Sequence, residues 1–289
     1  MIKKYLSLVK FSHTIFAMPF AFIGFFLALK TSGKEILTYE NLKLLGLVIA
    51  DMIFARNAAM GFNRWLDREI DKKNPRTAIR EIPSGKIKSE YALWFVLINS
   101  LLFMFTTYFI NNLVFMLAPV ALAVILGYSY TKRFTWFCHF ILGLGLALAP
   151  AGAYLSVTGK FSLLPVLFSF TVLFWTAGFD IIYALQDEDF DKENNLKSIP
   201  TLLGKKNALI LSSISHIITV IFIVWAGIAG ADLLGVWYWA GALFFGFSLI
   251  YQHLIVKPND LSKVNLAFFT ANGIASIVFA VFTLVSLYA

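Results

Sequence analysis

Thiol and charge are what this chain has least of. Its one cysteine, Cys138, in 289 residues excludes an internal disulfide framework and a thiolate metal cluster, so it is read as a passive packing residue. Only 14% of residues are charged, against about 25% in soluble domains. The apolar share is 59% and the mean hydropathy is +0.77, which excludes a soluble globular class. The alternating segments of a β-barrel are missing as well. Apolar runs last about twenty residues, the helix length that crosses the hydrocarbon core of a bilayer. After Met1-Ile2-Lys3-Lys4-Tyr5 there is no short apolar region ending in a small-residue cleavage site, so no removable signal peptide is expected. The net charge of +8 does not point to nucleic acid, because the basic residues lie between hydrophobic runs and report topology instead.

Nine apolar stretches can be marked, at 11–30, 42–62, 91–110, 113–130, 135–157, 161–184, 207–229, 233–255 and 264–288. They predict an all-α membrane protein of about nine transmembrane helices in a single domain over 1–289, with long loops at about 63–90 and 184–206. Prolines 19, 119 and 150 fall within these stretches and can kink a helix there. With the N-terminus inside, nineteen of the 24 Lys and Arg fall on the inner face: Lys3, Lys4, Lys10, eight from Arg64 to Lys88, Lys132, Arg133, Lys192, Lys197, Lys205, Lys206, Lys257 and Lys263. Lys30, Lys34, Lys43 and Lys160 lie outside and Arg56 sits within the second stretch. That bias predicts a multi-pass protein of the inner (plasma) membrane with N-terminus and long loops in the cytoplasm, its one inferred partner surface being the bilayer. No obligate protein partner is inferred.

The two long inner loops repeat each other. Asp67-Arg68-Glu69-Ile70-Asp71-Lys72-Lys73-Asn74 is echoed 120 residues later by Asp187-Glu188-Asp189-Phe190-Asp191-Lys192-Glu193-Asn194. Ile82-Pro83-Ser84-Gly85-Lys86 is echoed by Ile199-Pro200 with Gly204-Lys205 beyond. A repeat of about four helices follows, and because four is even, both acidic loops face the same side. Asn63, Asp67 and Asp71 are spaced i, i+4, i+8, as are Tyr183, Asp187 and Asp191, with Asp180 one turn earlier. If each helix continues, each set forms one stripe. Stacked carboxylates repel, so something positive is expected between them; a solvated loop is the plain alternative for one such motif, and the second copy argues against it. Mg²⁺ takes one or two carboxylates plus phosphate oxygens and waters, so two facing pairs suit a Mg²⁺-diphosphate complex. Arg76 and Arg80, expected about one and two helical turns beyond Asp71, and Lys132 at the inner end of the fourth stretch would complete a phosphate cradle.

The pair Asn63-xxx-Asp67-xxx-Asp71 and Asp180-xx-Tyr183-xxx-Asp187-xxx-Asp191 resembles the two signature motifs of the UbiA superfamily of intramembrane aromatic prenyltransferases. Asn74-Pro75-Arg76-Thr77, Pro83-Ser84-Gly85-Lys86 and Tyr128-Ser129-Tyr130-Thr131-Lys132-Arg133-Phe134 are similar to further family blocks. The resemblance implies a UbiA-like fold of nine helices around a central cavity, capped by the two acidic loops. It implies that Asp67, Asp71, Asp187, Asp191 and Asn63 bind Mg²⁺ and the diphosphate of a polyprenyl diphosphate. By the same resemblance Arg76, Arg80 and Lys132 neutralise phosphate, Tyr128 and Arg56 contact substrate, and Tyr183 and Asp180 line the chamber. His13, in Phe11-Ser12-His13-Thr14-Ile15-Phe16, lies where an acceptor ring could reach. That stretch is similar to the 4-hydroxybenzoate polyprenyltransferase-like branch, which implies a small aromatic acid, 4-hydroxybenzoate or a dihydroxynaphthoate, as acceptor in ubiquinone or menaquinone biosynthesis.

Two other classes fit less well. A CDP-alcohol phosphotransferase motif is partly matched by Asp51-xxx-Ala55-Arg56, but Met52 stands where glycine is expected and that family has one acidic cluster. A cation-coupled transporter would hold its acids near the bilayer midplane, not at helix ends beside Arg and Lys.

Overall fold

Polar residues placed just before apolar runs start the helices of this protein. Thr38 accepts from the Asn41 backbone N–H at 3.2 Å, Asn111 from Val114 at 2.9 Å, and Ser198 and Thr201 form a reciprocal capping box. Each such cap contributes about 1 kcal/mol. The structure, a computed structural model, describes residues 5, 7–9 and 16–289. Among them the secondary structure is helical except for one isolated β-bridge, Lys257 to Asp260.

Helices α1 (Met18–Thr31), α2 (Tyr39–Leu66), the short α3 (Arg68–Lys73), α4 (Ser89–Tyr108), α5 (Asn112–Thr131) and α6 (Cys138–Thr158) form the first part of the chain. They are followed by α7 (Leu163–Ala184), a 3₁₀ turn (Leu185–Asp187), the short α8 (Glu188–Glu193), α9 (Ile199–Ala229) and α10 (Val236–Ile255). A π-helical turn, Leu266–Ala271, runs into α11 (Asn272–Tyr288). Among the described residues, nine helices of 14 residues or more follow the nine apolar stretches in order. Among the described residues seven are long and apolar enough to cross a membrane. Helix α1 is shorter, with 14 residues, and Trp237, Tyr238, Trp239, Gln252 and His253 dilute the hydropathy of α10.

Three local expectations change. Helix α9 begins at Ile199 instead of 207, because the Ser198 cap and Pro200 in the first turn start it early. It breaks at Gly204, φ 73°, and Gly85 at the matching place in the first loop has φ 74°, so the repeat extends to a shared left-handed backbone that favours glycine. Pro19 opens α1 instead of interrupting it, while Pro119 and Pro150 do lie inside α5 and α6.

Helix α7 packs between α6 and α9, α1 lies against α6 and α11, and α2 pairs with α4 and α5. Small residues let these backbones approach: a Cβ on Gly24 would stand 2.1 Å from the Pro150 carbonyl oxygen. The core behind α7 is aromatic, with Phe20 and Trp175 rings 5.5 Å apart and Phe245 and Phe279 against them. Outward faces carry Leu101, Phe105, Leu243 and Phe247, all exposed, a surface suited to lipid and unsuited to water. Gly24→Val should lower the melting temperature in detergent, with overpacking of about 1–3 kcal/mol, while Gly46→Ala, with open space around its Cβ, should melt as wild type; equal melting of the two proteins would contradict the α1–α6 contact.

Candidate active site

Two helix ends build the site by the same means. Helix α2 stops at Leu66 and Asp67 adopts φ −89°, ψ 4° before α3 begins. The break is small, because Asp67 N–H still donates to the Asn63 carbonyl at 3.0 Å and Asp71 N–H to the Asp67 carbonyl at 2.7 Å. The expected continuous helix is therefore interrupted, yet Asn63, Asp67 and Asp71 stay on one stripe. Helix α7 tightens into its 3₁₀ turn at Asp187 and resumes as α8. One cavity of about 280 Å³ is lined by Arg56, Met60, Asn63, Asp67 and Asp71 and also by Thr176, Asp180, Tyr183, Asp187 and Asp191. Each residue of the second set stands 120 positions after its counterpart in the first.

The first loop departs from its expected course. Asn74 precedes proline and is extended, φ −86°, ψ 117°, which ends α3 at Lys73. Arg76 and Arg80 are thus not on further turns of one helix. Arg76 instead reaches into the second motif, where Nε donates to Asp187 Oδ1 at 3.0 Å, Nη2 donates to Asp187 Oδ2 and Nη1 donates to the Tyr183 hydroxyl at 2.9 Å. Burial opposes the Arg76 charge, but the Asp187 bonds and the neighbouring Tyr183 leave its pKa raised. Asn74 Nδ2 donates to the same Asp187 Oδ1 at 3.2 Å. Arg80 holds Asp71 Oδ1 at 2.6 Å.

Asp67 is neutralised from α5 and the turn after it. Lys132 Nζ lies 2.6 Å from Oδ2 and Arg133 Nη2 2.8 Å from Oδ1, with Asn63 Nδ2 donating to Oδ2 at 3.3 Å. Asp191 lies close to the Ser198 side chain, whose proximity favours its charged form. Deeper in the membrane, Arg56 and Tyr128 line the same cavity, and Arg56 Nε is buried without a hydrogen-bond partner.

The structure therefore brings together Arg56, Asn63, Asp67, Asp71, Arg76, Arg80, Tyr128, Lys132, Asp180, Tyr183, Asp187 and Asp191; His13 lies outside the described residues. Sequence reasoning missed Asn74, Arg133, His139, Phe268 and Phe269. Arg133 carried a signal, as the neighbour of Lys132. His139, whose Nδ1 is 2.7 Å from Asp180 Oδ2, stands 41 residues from its partner with no spacing to link them. Phe268, whose ring centroid is 4.2 Å from that of Tyr183, is presented by the π-turn. Cys138, expected to be passive packing, lines the cavity rim and has Sγ 3.5 Å from the Lys197 carbonyl.

Among the described residues no three His, Cys, Asp or Glu side chains converge into a metal cage. Asp71 Oδ2 is nonetheless buried with no hydrogen-bond partner. Separated hard oxygen donors with one orphaned oxygen fit a Mg²⁺ that shares its shell with phosphate and water.

A multi-pass helical bundle whose acid-and-base mouth opens onto an aromatic-walled chamber defines a membrane enzyme handling an anionic group on an apolar substrate. The chain belongs to the UbiA prenyltransferase family, whose model matches residues 17–274. The 4-hydroxybenzoate octaprenyltransferase of Aliivibrio fischeri (strain MJ11) is 29% identical over 244 residues, 83% of each chain. That of Serratia proteamaculans (strain 568) is 27% identical over 256 residues, 87% of this chain and 85% of the relative. The apo structure of a UbiA homolog from Aeropyrum pernix K1 matches with TM-score 0.78 at 28% identity, covering 95% of this chain and 96% of that one. A UbiA homolog from Archaeoglobus fulgidus bound to GPP and Mg²⁺ shares the fold, with TM-score 0.69 at 21% identity over 99% of this chain and 100% of that one.

The Arg76–Asp187 pair, with side chains 33% and 18% exposed, ties one loop to the other. A double-mutant cycle with Arg76→Ala and Asp187→Ala, read by thermal unfolding, should give a coupling of about 1 kcal/mol, the pair being partly screened. Strict additivity would mean that the two loops do not meet.

Proposed function

We propose that this chain carries out Mg²⁺-dependent transfer of a polyprenyl group from an allylic prenyl diphosphate to the ring of 4-hydroxybenzoate, in ubiquinone biosynthesis. The observation that carries this reading is the convergence of both acid stripes with Arg76, Arg80 and Lys132 on one chamber, Arg133 pairing with Asp67 beside them. The names of the curated relatives support the acceptor. Asp67, Asp71, Asp187, Asp191 and Asn63 would hold Mg²⁺ with the diphosphate. The ion, when bound, neutralises phosphate oxygens and so makes diphosphate a better leaving group.

Arg76, Arg80, Lys132 and Arg133 already stand at the mouth, paired to carboxylates, and turn toward phosphate oxygens when the donor enters. As the allylic C1–O bond breaks, its electron pair leaves with the diphosphate, whose growing charge these fixed cations stabilise. The cation left at C1 faces the rings of Tyr183 and Phe268, which attract positive charge. Arg56 stands seven residues before Asn63, about 10 Å further along the helix. There its guanidinium, with Tyr128, takes the carboxylate of the acceptor and fixes the ring beneath the donor. Apolar walls keep out the water that would capture the cation. The bias of nineteen Lys and Arg to one face supports cytoplasmic motif loops in the inner membrane, within a single domain over 1–289.

Purified protein given labelled polyprenyl diphosphate, Mg²⁺ and either 4-hydroxybenzoate or a dihydroxynaphthoate should alkylate 4-hydroxybenzoate and release diphosphate, and EDTA should abolish both. Alkylation of the naphthoate alone would reassign the acceptor; no alkylated ring at all would reject the reading. Asp67→Ala and Asp187→Ala should each lower turnover by about 100-fold or more while the protein remains inserted.

A further inference from the structure

His139 is the one cavity-lining histidine among the described residues, and neither the diphosphate site nor the acceptor carboxylate uses it. It sits in the first turn of α6, 3% exposed, and both ring nitrogens are engaged. Nδ1 is 2.7 Å from Asp180 Oδ2, and Nε2 accepts the Ile199 backbone N–H at 3.2 Å. That N–H belongs to the first residue of α9, where no intrahelical acceptor exists, so the imidazole satisfies one of the helix's orphan donors. Because Nε2 is accepting, the ring proton is on Nδ1 and is donated to Asp180. The ring is neutral, and both neighbours fix its orientation.

Asp180 differs from the other acids of the cavity for the same reason. Asp67 is bonded to Lys132 and Arg133, Asp71 to Arg80, and Asp187 to Arg76, while Asp191 belongs to the set that would hold Mg²⁺. Asp180 is held by a neutral donor through one oxygen, which orients the carboxylate without cancelling its charge. Its side chain is 22% exposed and lines the cavity, so Oδ1 is left for the chamber. It stands seven residues before Asp187, about 10 Å deeper along the helix. Arg56, eleven residues before Asp67, lies about one helical turn deeper still, so an acceptor whose carboxylate Arg56 holds extends its ring toward Asp180.

We propose that Asp180 is the base that accepts the ring proton during prenylation, and that His139 is the positioning residue that aims it. The inference rests on the ring-prenylation reading above. When C1 of the prenyl cation bonds to a ring carbon, that carbon still carries its hydrogen and the ring carries the positive charge. The C–H bond then breaks, its electron pair restores the aromatic ring, and the proton passes to Asp180 Oδ1. It leaves later to water at the chamber mouth. His139 keeps its proton throughout and moves none.

The test compares wild type, His139→Leu, His139→Gln and Asp180→Asn in full-length, membrane-reconstituted protein, using 4-hydroxybenzoate with hydrogen or deuterium at the reacting ring positions. In wild type ring-proton loss should follow the slow step, with no ring isotope effect. Asp180→Asn should lower kcat by about 100-fold, and His139→Leu by at least about 10-fold with KM for the prenyl diphosphate unchanged. Both variants should expose a primary ring isotope effect. His139→Gln, whose amide can donate to Asp180 and accept from Ile199, should recover most of the turnover and lose the isotope effect. Wild-type kcat in His139→Leu, a loss without an isotope effect in either variant, or a glutamine variant no better than leucine would overturn the proposal. If His139→Leu does not fold, the Asp180→Asn and His139→Gln results decide. A wild type that prenylates no ring would instead remove the functional reading, and this inference with it.

Discussion

Charge neutralisation at the mouth of an apolar bundle is the constraint on which the rest of this structure depends. Asp67 and Asp71 are 2% and 4% exposed, and removing one partner of such a buried ion pair destabilises by roughly 3–5 kcal/mol. The required cations come from two segments of the chain. Arg80 belongs to the same loop as Asp71, Lys132 and Arg133 come from the turn after α5, and Arg76 crosses to Asp187. The α5–α6 turn holds the second loop as well: the Lys132 carbonyl accepts the Lys197 N–H at 2.7 Å, and Lys197 Nζ donates to the Phe134 carbonyl at 3.1 Å. One short turn therefore fastens both acidic loops, and the groups that neutralise the acids are the groups that position them.

The internal repeat explains both the symmetry of the site and its division of labour. At the mouth the paired positions are alike, Asp67 with Asp187 and Asp71 with Asp191, which suits a diphosphate presenting similar oxygens to both sides. Further in, the paired positions of the repeat diverge: Asn63 corresponds to Tyr183, Met60 to Asp180 and Arg56 to Thr176. An aromatic acid has unlike ends, so the chamber that takes it must itself be unlike from side to side. On the proposed function, the duplicated scaffold would keep its symmetry for the phosphates and give it up where the acceptor would bind.

The inner wall is set by a polar knot within an aromatic core. Asn272 accepts from Trp175 Nε1 at 2.8 Å and from Gln252 Nε2 at 2.9 Å. Its Nδ2 donates to the carbonyls of Ala267 and Phe268 at 3.1 and 3.0 Å. Carbonyls of the π-turn are thereby satisfied where the regular helical ladder is interrupted. The turn in exchange displays Phe268 against Tyr183. A membrane interior permits such an irregular backbone only where it is enclosed by protein or faces a cavity, and this one faces the cavity through Phe268 and Phe269.

Length and hydropathy made the nine apolar stretches and their order legible in the sequence, since a bilayer demands apolar helices of fixed reach. The acidic pairs were legible because a carboxylate stripe at a helix end, repeated after an even number of spans, has few explanations besides a shared cation-and-phosphate site. Partners distant in sequence were not legible. Nothing local says that Arg76 leaves its own motif for Asp187, since that follows from the extended Asn74 before Pro75 and from how the two loops dock. His139 became part of the site only because α6 and α7 pack side by side and bring it to Asp180, and Phe268 only because a π-turn rotates it inward. Composition and spacing determined which charges had to be neutralised; the packing of the helices decided which groups do so, because an ion pair depends on distance in space and the chain's own order sets distance only within a helix.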